Sequence, residues 1–286
     1  MIIDILWDTL LDGIKLLPFL FITYLVMEHI EHKTSHKTRQ IMKNSGKWGP
    51  VFGGLLGVVP QCGFSAAASN LYAGRVITLG TLAAIFLSTS DEMLPILISE
   101  QVAVGTILRI LAIKIVIGVL AGFVIDLSCR KQKKAGEEEL RINHICEHEH
   151  CNCGKESILK SAVYHTFQIF LFILVISFGL NLIISFVGEE NLAMLVSGNL
   201  FLGPVFAGLV GLIPNCASSV VLTQLYLEGM LGAGAMLAGL LAGSGVGLLV
   251  LYRVNDNVKE NIRITVLLYI IGTISGIVIE MLGIAL

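Results

Sequence analysis

Apolar stretches longer than a membrane is thick, separated by short polar links, decide what this chain can fold into. Eight can be read, over roughly 5–27, 49–73, 76–98, 103–128, 159–187, 199–227, 230–252 and 262–284. Most exceed the ~20 residues that a helix needs to cross the hydrocarbon. A membrane β-barrel would instead be written in alternating segments of about ten residues, and the sequence contains none. Only 14% of the residues are charged, against about 25% in a soluble domain, and mean hydropathy is +0.83. The expected class is an all-α polytopic membrane protein with lipid as its surroundings. A net charge of −2 gives no reason to expect a nucleic-acid partner. Residues 1–27 read as a first helix rather than a cleavable signal, because the start carries Asp4, Asp8 and Asp12 instead of basic residues.

The sequence also repeats. Shifted by 154 positions, it matches itself without a gap from Gly49 to Asp126. GPVFGGLLGVVPQCGFSAAASNLY (Gly49–Tyr72) lies on GPVFAGLVGLIPNCASSVVLTQLY (Gly203–Tyr226), pairing Pro60 with Pro214, Cys62 with Cys216 and Gly80 with Gly234. Further on, Arg109 falls on Arg263, Gly118 on Gly272, Gly122 on Gly276 and Asp126 on Glu280. Apolar sequence can match by composition, but prolines, cysteines, tyrosines and arginines in one register point to duplication.

Lysine and arginine set the expected orientation. The links 28–48 and 129–158 hold most of them and are expected on the cytoplasmic side. Three apolar stretches lie between these links, an odd number, so one of them does not cross. Pro60 interrupts 49–73 near its centre, and proline both lacks the helical N–H and clashes with the preceding turn. We therefore expect 49–73, and its copy 199–227, to enter and return as re-entrant hairpins. The expected fold is an inverted-topology repeat, each half with three spanning helices and one proline-broken hairpin. Its boundaries are 1–128 for the first repeat, 129–158 for a cytoplasmic His/Cys-rich linker and 159–286 for the second repeat, with both termini outside.

Inverted repeats of this kind bind substrate where discontinuous helices meet near the midplane. Non-helical backbone at that depth is tolerated only in a protein interior or a water-filled cavity. Gln61-Cys62 and Asn215-Cys216 follow the two prolines and are candidates for the central site; the plainer reading of the cysteines is close helix packing by small residues. Asp91 and Glu92, in FLSTSDE, lie within an apolar stretch where ionisable groups are costly and mark ion paths. Ser90 and its neighbours add oxygen, the donor that hard divalent ions prefer. The alternative is that the helix ends early and the two acids are interfacial. Lys114 lies deep in the next stretch, where it can neutralise them; Arg109 is expected to snorkel to the surface. The linker packs His144, Cys146, His148, His150, Cys151 and Cys153 into ten residues, an accessory metal-binding tract matching no standard zinc finger. There is no HExxH, G-x-S-x-G or P-loop, so neither an enzyme, a cofactor nor ATP-driven pumping is expected.

At LPFLFITYLVMEHIEHK (Leu17–Lys33), VPQCGFSAAASNLYAG (Val59–Gly74), FLSTSDE (Phe86–Glu92), GLIPNCASSVV (Gly211–Val221) and GVGLLVLYRVN (Gly245–Asn255), the chain resembles a bacterial family of ten-transmembrane heavy-metal exporters. Members are variously labelled arsenic-efflux proteins or manganese transporters. Counting each hairpin arm separately turns eight stretches into ten, in agreement with that label. The resemblance implies a multi-pass protein of the bacterial cytoplasmic membrane. More distantly, the Pro-x-Cys breaks are similar to those of permeases with a Pro-x-Cys-x-Cys-Gly motif, but Phe64 and Ser218 stand where the second cysteine would be. Three functions are compatible with these features. One is secondary-active export of a divalent transition metal, manganese first, coupled to protons or sodium. The second is arsenite or organoarsenical efflux, and the third a metal-sensing membrane module. A homo-oligomer is compatible with each.

Overall fold

A computed structural model describes residues 48–59, 62–90, 93–132, 158–187 and 202–283, and nine helical positions between Trp7 and Leu25. The described elements are all helical: α1 (Gly49–Gly57), α2 (Cys62–Ala73), α3 (Leu79–Ser88), α4 (Met93–Ser99), α5 (Val104–Gln132), α6 (Ile158–Val187), α7 (Leu202–Gly211), α8 (Cys216–Leu227), α9 (Ala233–Ala242), α10 (Val246–Val254) and α11 (Val258–Met281).

The sequence repeat is a structural repeat. α1 to α5 correspond in order to α7 to α11, and each half packs its first, third and fifth helices together: α1, α3 and α5, then α7, α9 and α11. Among the described residues, four helical spans are long and apolar enough to cross a membrane, and they form two equivalent pairs. Leu79–Ser99 and Ala233–Val254 are the inner pair, with 75% and 89% of the most apolar window buried; Val104–Ser128 and Val258–Met281 are the outer pair, with 28% and 33%. On α11 the exposed residues Ile262, Val266, Ile270, Ile274 and Val278 recur every fourth position, the spacing of one helical face. Leu108, Val116, Leu120 and Val124 do the same on α5. Apolar side chains this exposed, on one continuous stripe, suit hydrocarbon rather than water.

Inner and outer helices approach through small residues. A Cβ on Gly118 would lie 2.9 Å from the Ala84 carbonyl oxygen, and one on Gly272 would lie 2.8 Å from that of Ala238. Gly122 faces Gly80 one turn on, and Gly276 faces Gly234. The small-xxx-small pattern, Gly118/Gly122 and Gly272/Gly276, lets backbones pack closely where no hydrophobic force drives helices together.

The halves are interlocked. α2 of the first half packs on α10 of the second, and α8 of the second packs on α4 of the first. Ser69 donates to the Gly247 carbonyl at 2.7 Å across this joint. Of the apolar clusters that result, two are related by the repeat. One joins Tyr72, Leu82, Phe86, Leu248, Leu251, Ile264 and Leu268; the other includes Met93, Leu97, Ile110, Leu222, Met236 and Leu237. They are largely images of each other under the 154-residue shift.

One feature differs from the expected single span over 76–98. The inner helix is interrupted between Ser88 and Met93, and its copy between Ala242 and Val246. In the first half, Ser88 donates to the Ala84 carbonyl and Thr89 to that of Ile85, both at 2.8 Å. Thr89 then turns extended at ψ 131°. In the second, Gly243 is extended at ψ 111° and Gly245 takes φ 52°, a conformation open to glycine at little steric cost. Serine and threonine hydroxyls compete for helix carbonyls, so the same interruption arises from two different residue sets.

Candidate functional site

Three interruptions converge on one cleft. Its lining comes from the end of α3 and start of α4 (Thr89, Ser90, Met93), from the α7–α8 break (Asn215, Ser218, Ser219), and from α9 and the α9–α10 break (Gly239, Leu240, Gly243, Gly245). The cleft is narrow and open to one side, and the space around it reaches about 320 Å³ only when the solvent at its mouth is counted. Ser90 and Asn215, which the sequence had marked independently, line it together and are 1% and 7% exposed.

The Pro214 break has a definite local cause. α7 stops at Gly211 because Pro214 cannot supply the next ladder N–H. Asn215 is extended at φ −147° and ψ 151°, and its N–H bonds to the Ile213 carbonyl at 2.7 Å. Ser218 donates to the Asn215 carbonyl at 2.8 Å, which ties the start of α8 to the bend. Cys216 is the first residue of α8 as Cys62 is of α2. Only the backbone of these two cysteines is described; Gln61, Asp91, Glu92 and the linker ligands 144–153 lie outside the described residues. Among the described residues, no three His, Cys, Asp or Glu side chains gather as a metal site.

Among the described residues, Lys114 is the charged side chain beside the cleft. It is fully buried, and under the repeat it occupies the place of Leu268, a fully buried member of an apolar cluster. An ammonium there needs compensation, since burying an unpaired charge is prohibitive. Its Nζ donates to the Thr89 carbonyl and, at 3.0 Å, to the Leu240 carbonyl. These oxygens lie at the end of α3 and in the last turn of α9, where helix carbonyls lack intrahelical partners and carry the negative end of the helix dipole. The lysine thus links both inner helices at their interruptions, and Thr89 and Leu240 also line the cleft. Arg109, by contrast, is exposed.

Ser244 escaped the sequence reading. It lies between the cleft residues Gly243 and Gly245, is 2% exposed, and its hydroxyl has no hydrogen-bond partner among the described residues. The available signal was its register, 154 positions after Ser90.

Far from the cleft, the interlock is fastened at one end. Arg75 grips Glu260 with both terminal guanidinium nitrogens, Nη1 and Nη2, each at 3.0 Å. The Tyr72 hydroxyl donates to the same carboxylate, and Asn255 reaches it at 3.4 Å. The repeat places Gly229 and Thr106 at the positions of Arg75 and Glu260, so this ion pair belongs to one end alone.

No curated protein and no solved structure matches the chain. A family model does, over residues 2–194, about two thirds of the length. The match covers more than half of the chain, whose described spans are apolar helices long enough to cross a membrane, and the chain belongs to the family described as "Putative, 10TM heavy-metal exporter".

Proposed function

We propose that this protein exports a divalent transition-metal cation, manganese first, by alternating access between two inverted halves, with protons or sodium as counter-ions. Family membership makes a metal ion the substrate class; the choice of a hard divalent ion rests on oxygen donors. The observation that carries the reading is the convergence of three helix interruptions on one cleft, with Ser90, Asn215, Ser218 and Ser219 in its lining. Hydroxyl, amide and helix-end carbonyl oxygens suit such a cation. Asp91 would bind metal or proton with Glu92 assisting, while Gln61, Cys62, Asn215 and Cys216 complete the central path.

The contacts at the Arg75 end support inversion. The turn after α2 meets the first turn of α11; α3 departs from that end and α10 arrives at it, so the two inner spans run oppositely. In the membrane this end is the cytoplasmic one, with both termini outside and the halves bounded as 1–128 and 159–286. The linker 129–158 then serves as an accessory metal tract, and deleting 143–153 should leave transport running.

The test is manganese accumulation in cells expressing the protein or Asp91→Asn. The wild type should lower cell manganese and the variant should lose that effect. Unchanged export of every divalent metal by Asp91→Asn would sink the assignment. A second reading, arsenite or organoarsenical export, draws on one observation: Cys62 and Cys216 both open a helix at equivalent places of the repeat, and thiols are the ligands a soft centre prefers. Under that reading Cys62→Ser abolishes arsenical resistance and Asp91→Asn does not.

A further inference from the structure

We infer that the Lys114 ammonium is a tethered competitor of the transported cation: it occupies helix-end carbonyls beside the cleft when no metal is bound, is displaced as metal enters, and expels the metal by returning. The inference rests on reading the chain as a cation exporter and adds a residue that sets affinity and release. Three observations carry it. The lysine is fully buried where the repeat has a core leucine, Leu268, so packing alone does not call for a charge there. It bonds to one carbonyl from each half, Thr89 and Leu240, so it senses both. Those two residues also line the cleft with Ser90 and Asn215, so a metal ion there would share its neighbours with the ammonium.

Electrostatics then dictates the order of events. A divalent ion and an ammonium a few ångströms apart repel strongly in a protein interior. Both also seek the same kind of oxygen, the unpaired carbonyl at a helix C-terminus. Metal binding must therefore weaken the lysine's hold on Thr89 and Leu240, loosening the link between the inner helices. Lysine suits this better than a fixed ligand, because its four-carbon stem lets the charge withdraw without moving the backbone. Release is the reverse: the ammonium regains its carbonyls and the metal loses affinity.

The test separates affinity from turnover in the purified full-length protein. Free manganese(II), read by its electron paramagnetic resonance signal, gives the Kd in detergent; manganese flux from proteoliposomes gives turnover. Lys114→Gln, which keeps an N–H donor, and Lys114→Met should each bind manganese tighter by roughly tenfold or more and turn over more slowly. Lys114→Arg, which keeps the charge, should stay within about threefold of wild-type affinity. A merely structural lysine would behave differently: the neutral variants would bind more weakly or unchanged, and either result overturns the inference. Should Lys114→Met fail to fold, Lys114→Gln and Lys114→Arg still decide the point. Wild-type protein that binds neither manganese nor any other divalent metal would sink the cation reading itself, and this inference with it.

Discussion

Arg75 holds a left-handed backbone, φ 60°, at the position where the repeat places Gly229 at φ 73°. Both residues end a helix in the same way. Val76 and Met230 donate back to the Leu71 and Leu225 carbonyls at 2.8 and 3.0 Å. Glycine adopts this conformation without a Cβ penalty, whereas arginine pays about 1–2 kcal/mol for it. The guanidinium is what the first half gains, because it binds Glu260 at two points.

Glu260→Gln should therefore lower stability by about 1–3 kcal/mol, the range for a charged hydrogen bond lost from a half-buried site. Arg75→Gly should cost less, since it loses the pair but relaxes the backbone. Thermal unfolding in detergent would measure both, and an Arg75→Gly protein less stable than Glu260→Gln would contradict this ordering.

The helix caps predict a rescue. In the first half, Asp126 accepts from the Gly80 N–H at 2.8 Å and from the Thr78 hydroxyl at 2.7 Å. In the second, Glu280 accepts from the Gly234 and Ala235 N–H groups at 2.6 and 3.3 Å, and Gly232 stands where Thr78 would. A Cβ on Gly232 would collide with the Glu280 carboxylate: the longer acid uses the space that a threonine fills in the other half. Gly232→Thr alone should destabilise by roughly 1–3 kcal/mol through overpacking. Adding Glu280→Asp should recover most of that, as a double-mutant cycle in thermal unfolding would reveal.

The glycine contacts predict a matched pair and a control. Gly122→Ala and Gly276→Ala push a methyl toward the Gly80 and Gly234 carbonyls. Each should cost on the order of 1–3 kcal/mol, by similar amounts in the two halves. Among the described residues, nothing lies within 4 Å of a Cβ on Gly105, so Gly105→Ala should be neutral or stabilise by up to about 1 kcal/mol. Equal effects at all three positions would argue against close helix approach as the cause.

Ser244→Ala separates stability from function. Its buried hydroxyl has no partner among the described residues, so its removal should leave melting unchanged or raise stability by about 1 kcal/mol. If the hydroxyl serves metal in the cleft, manganese affinity should fall severalfold. Thr273 Oγ1 is equally unpartnered among the described residues but sits on α11, which gives no residue to the cleft lining, whereas Ser244 stands between two residues that do; Thr273→Val should alter stability without altering transport.

Much of this molecule could be read from the chain alone. Run length fixes helices that cross a bilayer, since no other open structure satisfies its backbone there. A gapless 154-residue register fixes which elements correspond, down to Asp126 and Glu280 as equivalent caps. Pro214 fixes a break, because a missing N–H is a local property. Ser90 and Asn215 could be named for the same reason: polar residues beside apolar sequence stand out without knowledge of what faces them. Only the tertiary structure decided the rest. The interruptions at Thr89 and at Gly243–Gly245 arise from ordinary residues that a helix elsewhere would absorb, and packing selects the broken form. Lys114 and the Leu240 carbonyl are 126 positions apart, and no periodicity relates them. Their meeting depends on how α5 and α9 are set against each other, which is how a leucine position in one half became the charged centre of the other.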